Sequence, residues 1–212
     1  MESIEREQKK GTTTLALVCK DGVVIAADRR AAMGYLIASK TTRKIFKISD
    51  YVAMTIAGSA ADGQKLAEYL KAEMQLYRLS RDKEPSLTVA ANMLSNIVFS
   101  RAKSFIPYYV QLILAGQEED GSFAVYNLDM GGSTSKEVDY TATGSGSPMA
   151  FGVLEDDYTN NLSSQQGLDL ARRALIAAIK RDLASGDGIQ LVIVDGKGYR
   201  EVKTEDLVYA TK

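Results

Sequence analysis

Blocks of adjacent β-strands alternate with pairs of helices along this chain. Two β-rich segments, 12–18 and 23–27, are joined through an Asp-Gly dipeptide, which is typical of a tight hairpin turn. A second pair of strands, 44–48 and 52–57, follows before the first helical pattern begins. Helix pairs that alternate with such blocks favour an α+β layered fold, with antiparallel sheets packed face to face and helices outside. A doubly wound parallel sheet fits this order less well.

Helical spacing and capping residues predict the helices. The first helix follows Ser59, and Ser86 is expected to cap the second. A later helix is capped by Ser163 or Ser164 and runs to about Leu183. The remaining elements are predicted as a short helix at 148–155 and strands at 109–115, 123–128, 140–143, 189–194 and 199–202.

Composition limits the class of protein. A chain of 212 residues that is 45% apolar can bury one sizeable core, so residues 12–212 are expected to form one domain. The net charge is -1, which gives no overall field that would steer the chain to nucleic acid or to an anionic membrane. A lone Cys19 cannot form an internal disulfide, and no apolar segment approaches the roughly 20 residues of a membrane span. We therefore expect a cytoplasmic protein.

The junction between Gly11 and Thr12 suggests a hidden N-terminal nucleophile in a chain without histidine. If the bond after Gly11 is cut, Thr12 gains a free α-amine beside its own hydroxyl, so that nucleophile and general base belong to one residue. A free α-amine has a pKa of about 7.7 to 8.0 and accepts a proton near neutral pH, whereas an amide nitrogen cannot. The segment from Met1 to Gly11 is mostly charged and lacks the apolar centre of a signal peptide, so it is interpreted as a short propeptide or a floppy arm. Taken alone, the Gly-Thr junction is better explained by ordinary strand-forming residues.

Asp28, Lys44 and Gly58 are the next candidates for chemistry. By themselves, Asp28 is a turn residue and Lys44 a charge at a strand edge. Beside Thr12, a buried lysine would favour the alkoxide of the threonine, and an aspartate would keep the ammonium charged and oriented. Gly58 can present its backbone N–H to a developing oxyanion, although a simple strand-to-helix turn explains this glycine equally well.

Two later segments contain small and polar residues. The loop 144–147 lacks the third glycine and the lysine of phosphate-binding signatures, so nucleotide binding is not expected. Asp182, Ser185 and Gly186 either form the C-terminal turn of a helix or supply hydrogen bonds that orient an active-site amine.

Taken together, these residues resemble proteasome β subunits, and the match is closest to the archaeal type. The resemblance covers essentially the whole chain. The motifs that carry it are Gly11-Thr12-Thr13-Thr14, Asp28-Arg29-Arg30, Lys44, Met54-Thr55-Ile56-Ala57-Gly58-Ser59, Gly144-Ser145-Gly146-Ser147-Pro148, and Arg181-Asp182 with Ser185-Gly186. The resemblance implies the fold of an N-terminal nucleophile hydrolase, which is a four-layer α-β-β-α sandwich, and the activity of a threonine endopeptidase.

The resemblance also implies roles for individual residues. Thr12 would be the nucleophile after autocatalytic cleavage between Gly11 and Thr12, with its α-amine as base. Lys44 would activate the hydroxyl and pair with Asp28, and Gly58 would be the oxyanion donor. The residues that hold the new N-terminus and a catalytic water in place correspond to Ser145, Asp182 and Ser185.

The main specificity pocket of the family corresponds here to Ala31, Thr42, Ile56 and Ala60. Because none of these side chains is charged, cleavage after hydrophobic residues is expected. The chain departs from the family at Ala32, where threonine is usual. The departure affects a side-chain hydrogen bond at that position and leaves the backbone pairing to an extended substrate in place.

The reaction that the resemblance implies requires no metal or organic cofactor. It implies seven-membered β rings stacked inside rings of α subunits, and an ATP-dependent unfoldase that feeds unfolded polypeptides into the chamber. Two other functions stay open at this point. The chain could be a structural β-ring subunit that never matures, or an N-terminal nucleophile amidohydrolase that acts on small amides.

Overall fold

Two five-stranded antiparallel sheets form the centre of the protein in a computed structural model, which describes residues 11–205. Residues 1–10 of the predicted propeptide and residues 206–212 lie outside the described part. The strands are β1 (Thr14–Cys19), β2 (Gly22–Asp28), β3 (Ala31–Met33), β4 (Leu36–Ser39), β5 (Ile45–Lys47), β6 (Val52–Gly58), β7 (Val110–Gln117), β8 (Phe123–Leu128), β9 (Thr134–Glu137), β10 (Tyr140–Thr143), β11 (Ile189–Asp195) and β12 (Gly198–Glu205). The helices are α1 (Ala60–Arg81), α2 (Leu87–Ala102), α3 (Ser147–Asp157) and α4 (Ser164–Ile179).

Each sheet is built mostly from neighbours in sequence. Sheet 1 has the order β10-β1-β2-β11-β12, and sheet 2 has the order β5-β6-β7-β8-β9. In sheet 1 the start of β1 lies between two partners, because Thr14 is opposite both Ala27 of β2 and Thr143 of β10. Strand β1 is therefore an inner strand of sheet 1, and the residues just before it lie at the end of that strand, between β10 and β2.

Three apolar clusters lie between four layers of secondary structure, which are two layers of helices and two sheets. Helices α1 and α2 cover the outer face of sheet 2, where Leu66 and Leu94 are fully buried. Helices α3 and α4 cover the outer face of sheet 1, where Leu154 and Leu175 are fully buried. The two sheets share a third layer between their inner faces, which consists mainly of alanine, valine and isoleucine. This arrangement confirms the predicted α-β-β-α sandwich.

Serine caps fix where the helices begin. Ser59 accepts a hydrogen bond from the Asp62 backbone N–H, and Ser86 accepts one from Val89. Ser163, and not Ser164, caps α4, since its side chain and that of Gln166 form a reciprocal capping box.

The prediction that this last helix runs to about Leu183 is wrong. Helix α4 ends at Ile179, because the chain then turns around Asp182, whose carboxylate accepts a hydrogen bond from the Ala184 backbone N–H. A tight turn in this segment brings Ser185 next to Thr13, just before β1, and Ser185 is 1% exposed there.

Three short strands were missed by the sequence pattern. Strands β3 and β4 form a separate hairpin around Gly34, and β9 is an edge strand of sheet 2. Their residues are mostly exposed, so the alternation of buried and exposed side chains that marks a strand is absent. None of the helices between residues 11 and 205 is long and apolar enough to cross a membrane.

Candidate active site

Thr12 lies buried at the entrance to β1, with 5% of its surface exposed. Its hydroxyl donates a hydrogen bond of 2.7 Å to the carbonyl oxygen of Gly11, the residue that precedes it. Gly11 is itself buried, and a Cβ atom there would overlap the Cβ of Ala184. Only glycine fits this position, and its carbonyl oxygen lies close to the hydroxyl of Thr12.

Asp28 and Lys44 form a buried ion pair beside this junction. Lys44 Nζ donates to Asp28 Oδ1 at 2.7 Å, and the exposed fractions of the two side chains are 6% and 0%. Asp28 also accepts backbone N–H groups from Thr13 at 2.9 Å, Arg30 at 3.0 Å and Gly186 at 3.0 Å. Burial lowers the pKa of Lys44, while the charge and hydrogen bond of Asp28 oppose that change. The carboxylate thus connects Lys44 to the backbone next to Thr12.

A chain of hydroxyl groups surrounds the amide nitrogen of Thr12. This nitrogen lies 3.3 Å from Ser145 Oγ, which donates at 2.6 Å to Asp182 Oδ2. Ser185 Oγ donates to the same carboxylate oxygen at 2.6 Å. Because the Ser185 proton is used there, the contact of 2.7 Å between the hydroxyls of Thr13 and Ser185 has Thr13 as donor. The predicted trio Ser145, Asp182 and Ser185 is therefore brought together at the backbone of Thr12 and Thr13.

Gly58 marks the place where two cavities meet. It is the last residue of β6 and has φ of +109°, a conformation that favours glycine. A Cβ there would also overlap the carbonyl oxygen of Tyr109. Gly58 and Gly11 line both cavities, so the Gly11–Thr12 bond lies between the two spaces.

The first cavity has a volume of about 200 Å³ and contains the predicted specificity residues. Its walls include Thr12 and Lys44 together with all four predicted positions, Ala31, Thr42, Ile56 and Ala60. The sequence assigned no role to six further lining residues, which are Arg30, Met33, Ala38, Arg43, Phe46 and Gln64. Met33 and Ala38 belong to the hairpin that the sequence did not predict, whereas Gln64 follows Ala60 by one helical turn, a spacing that could have indicated it.

The second cavity is larger, at about 740 Å³, and lies on the other side of the junction. Tyr35, Met130 and Leu183 contribute large apolar side chains to it, and Ser145 and Asp182 contribute polar groups. The cleft therefore extends on both sides of Thr12.

Arg30 is a further residue of the site to which the sequence assigned no role. Its guanidinium donates to Asp187 Oδ2 at 2.7 Å and Oδ1 at 3.3 Å, and to the Leu183 carbonyl oxygen at 2.8 Å. Asp187 has φ of +64°, which is uncommon for a residue other than glycine. These hydrogen bonds from Arg30 stabilise the turn that contains Asp182 and Ser185.

A four-layer sandwich with a buried threonine at the entrance to a central strand defines the class of N-terminal nucleophile hydrolases. Comparison with known proteins narrows this class: the family model described as "Proteasome subunit" matches residues 8–194. The chain therefore belongs to the proteasome subunit family.

Its relatives are archaeal proteins named proteasome subunit beta. The protein of Ferroglobus placidus is 46% identical over 198 residues, which cover 93% of each chain. That of Archaeoglobus profundus is 45% identical over 204 residues, 96% of this chain and 94% of its relative. That of Methanopyrus kandleri is 48% identical over 199 residues, 93% of this chain and 94% of its relative. The resemblance to archaeal β subunits is thereby confirmed.

Proposed function

We propose that this chain is a catalytic β subunit of the 20S proteasome and acts as a threonine-type endopeptidase. The observation that carries the proposal is the contact of 2.7 Å between the Thr12 hydroxyl and the Gly11 carbonyl oxygen. The buried pair of Lys44 and Asp28 lies in the same site, and Lys44 lines one cavity with Thr12. A merely structural subunit would need neither a buried charge pair nor a glycine packed against Ala184 directly before this threonine.

The first reaction is the removal of Met1 to Gly11. Thr12 Oγ adds to the carbonyl carbon of Gly11 and loses its proton, and the bond from that carbon to the Thr12 nitrogen then breaks as the nitrogen gains a proton. Water hydrolyses the resulting ester, which releases residues 1–11 as a carboxylic acid and leaves Thr12 with a free α-amine. The chain is inactive before this step, because an amide nitrogen cannot serve as general base.

The matured site repeats the same chemistry on a substrate. Thr12 Oγ attacks a peptide carbonyl while its α-amine takes the proton, and Lys44 stabilises the developing alkoxide electrostatically. The backbone N–H of Gly58 stabilises the oxyanion. Ser145, Asp182 and Ser185 hold the α-amine and a water molecule, and this water hydrolyses the acyl ester.

The first cavity selects the residue before the cleaved bond. Ala31, Thr42, Ile56 and Ala60 give it an uncharged wall, so peptide bonds that follow hydrophobic residues are the expected substrates. Three cations also line this cavity, and each is paired with a carboxylate, which reduces its attraction for an acidic side chain. The pairs are Arg30 with Asp187, Arg43 with Glu201, and Lys44 with Asp28. Unfolded polypeptides are the expected substrates, because the substrate chain must be extended for its peptide bond to reach Thr12.

The family also suggests the assembly in which the chain acts. Rings of seven β subunits stack inside rings of α subunits in the cytoplasm, and an ATP-dependent unfoldase delivers substrates through the α ring. We expect the isolated subunit to be inactive.

The intact mass of the subunit after assembly with its α partner tests the proposal. The wild-type chain is expected to lose residues 1–11, Thr12→Ala to retain them, and Thr12→Ser to lose them because it keeps a hydroxyl. A fluorogenic peptide with a hydrophobic residue before the cleaved bond then reports activity, beside a small acyl amide. Retention of residues 1–11 in all three chains would identify a structural ring subunit, and hydrolysis of the small amide alone would identify an amidohydrolase.

A further inference from the structure

Gln190 is a polar side chain in an apolar row between the two sheets. It lies on β11 with Val192 and Val194, which alternate toward the inner face of sheet 1 and are fully buried. Gln190 itself is 2% exposed. Burying an amide in such a layer is unfavourable unless its hydrogen bonds are satisfied, so a specific set of partners is needed.

The partners of Gln190 belong to the backbone at Lys44. Its Oε1 accepts the backbone N–H of Lys44 at 3.3 Å and that of Ile45 at 3.2 Å, and its Nε2 donates to the Ile45 carbonyl oxygen at 3.4 Å. Ile45 is the first residue of β5, which is an edge strand of sheet 2, and Lys44 directly precedes it. A side chain from sheet 1 thus supplies the hydrogen bonds that a neighbouring strand would supply.

Glu201 fixes which way the amide points. Nε2 of Gln190 also donates to Glu201 Oε1 at 3.3 Å, and the other oxygen of Glu201 accepts from Arg43 at 2.6 Å. A flipped amide would place its NH₂ group against two backbone N–H donors and its oxygen against a carboxylate. Only one orientation satisfies all of these contacts.

We propose that Gln190 is a positioning residue that sets the place of Lys44 relative to Asp28 and Thr12. The Lys44 carbonyl is held from the other side by the Ile56 backbone N–H at 3.0 Å. Gln190 and Ile56 therefore hold the Lys44 backbone from two sides, and its side chain then reaches Asp28 at 2.7 Å. The kinetic consequence rests on the proposed function, whereas the position of Lys44 does not.

Gln190→Met tests this role, since methionine fills a similar volume and forms none of the hydrogen bonds. A crystal structure of the assembled variant is expected to show Lys44 Nζ displaced from its 2.7 Å contact with Asp28 Oδ1. In peptide hydrolysis, kcat is expected to fall on the order of 10- to 100-fold, because small misplacements of a reacting group have effects of this size. KM is expected to change less than about twofold, since Gln190 does not line the substrate cavity.

Two further variants keep the test decisive. Glu201→Ala changes an exposed residue and frees the amide of Gln190, so it is expected to lower kcat in the same direction by a smaller factor. Asp21 directly precedes β2, at the end of the strand opposite to Asp28. Asp21→Ala removes its two hydrogen bonds with Ser164 and serves as the control for lost stability. It is expected to lower the unfolding temperature and leave kcat unchanged.

An unmoved Lys44 in Gln190→Met, or a kcat no lower than that of Asp21→Ala, would overturn the proposal. Failure of the proposed function is distinguishable, because a wild-type particle that keeps residues 1–11 would be inactive before any change at Gln190. The distance between Lys44 and Asp28 would still decide the role of Gln190 in that case.

Discussion

Lys44 Nζ lies 2.7 Å from Asp28 Oδ1 in a site that excludes nearly all solvent from both side chains. The two partners contribute unequally to this arrangement. Asp28 accepts three backbone N–H groups in addition to the ammonium, and these come from three separate segments, at Thr13, Arg30 and Gly186. The carboxylate is therefore the centre of the site, and Lys44 is one of its four donors.

Asp28→Asn is expected to destabilise the subunit more than Lys44→Met does. Asparagine turns one acceptor into a donor that faces an N–H group, and it leaves the Lys44 charge buried without this partner. Removing one partner of a buried ion pair in this way costs about 3–5 kcal/mol. Lys44→Met leaves the carboxylate with its three backbone donors, so its cost is smaller. Urea unfolding of the two purified variants measures the difference, and equal midpoints would contradict it.

Gly11→Ala is expected to slow the removal of residues 1–11. The added Cβ would overlap the Cβ of Ala184 and approach Ser145 Oγ, which forces the Gly11 carbonyl away from the Thr12 hydroxyl. A displacement of the reacting groups by about 1 Å can reduce a rate on the order of 100-fold. Intact mass, followed over time after assembly, gives the rate.

The double variant of Gly11→Ala with Ala184→Gly is the matched test of this explanation. Removing the Cβ of Ala184 opens the space that the new methyl group needs, so processing is expected to recover in part. Recovery stays incomplete because Ser145 Oγ lies 2.9 Å from the new Cβ position. If the double variant is no faster than Gly11→Ala, steric overlap with Ala184 is not the cause.

The fold was predictable where short-range patterns determine it. Strands 123–128 and 140–143 begin and end as predicted, because turns bound them on both sides. The hairpin of β3 and β4 was not predictable, since Tyr35 is 93% exposed and neighbouring Leu36 is 67% exposed in a strand whose side chains pack on no core. Its apolar residues give no alternation to detect.

The site was predictable only in part, for a related reason. The ends of three strands have Thr12, Asp28 and Lys44 at or near them. A polar residue at such a position that strand packing does not explain can be recognised in the sequence as a candidate for chemistry. Arg30 and Gln190 act on partners more than 140 positions away, at Asp187 and Lys44. The Arg30 contact depends on the pairing of β2 with β11 in sheet 1, and the Gln190 contact depends on how the two sheets stack. A single sequence contains neither the pairing nor the stacking, so neither residue could be assigned a role from it.

Ala60→Val is expected to narrow the substrate preference. Ala60 is the first residue of α1 and lines the cavity of about 200 Å³, so two added carbons reduce the space for a large side chain. One methylene in a hydrophobic pocket changes discrimination by about 10- to 200-fold. We expect kcat/KM for a peptide with tyrosine before the cleaved bond to fall at least about tenfold, and that for alanine to change little.

Ala61→Val is the control for this change. The substitution is the same, and it lies one position further along α1, but Ala61 does not line the cavity. Its ratio of tyrosine to alanine cleavage is expected to equal that of the wild type. Equal losses for both peptides in Ala60→Val would indicate a disturbed helix start and not a filled pocket.

Glu118 gives the stability of the subunit a dependence on pH. Burial acts to raise the pKa of this carboxyl, but hydrogen bonds from Lys136, Thr88 and Tyr126 outweigh it and hold the pKa below its ordinary value. These contacts join the start of α2 to two strands of sheet 2, at 2.9 to 3.1 Å. A lowered pKa in the folded state stabilises the protein above the unfolded value of about 4.3, and this contribution is lost as pH falls through the folded value.

Glu118→Gln is therefore expected to be less stable than the wild type at pH 7, by about 1–2 kcal/mol, because hydrogen bonds to a charged group are lost. The difference is expected to shrink as the pH falls below the unfolded carboxyl pKa of about 4.3 and then through the lower folded-state pKa of Glu118. Glu119→Gln is the control, since Glu119 is exposed and pairs with Lys83 at the surface, and such pairs contribute little. Urea unfolding between pH 7 and pH 3 compares the three chains, and a gap that stays constant over this range would show that the charge of Glu118 is not the stabilising feature.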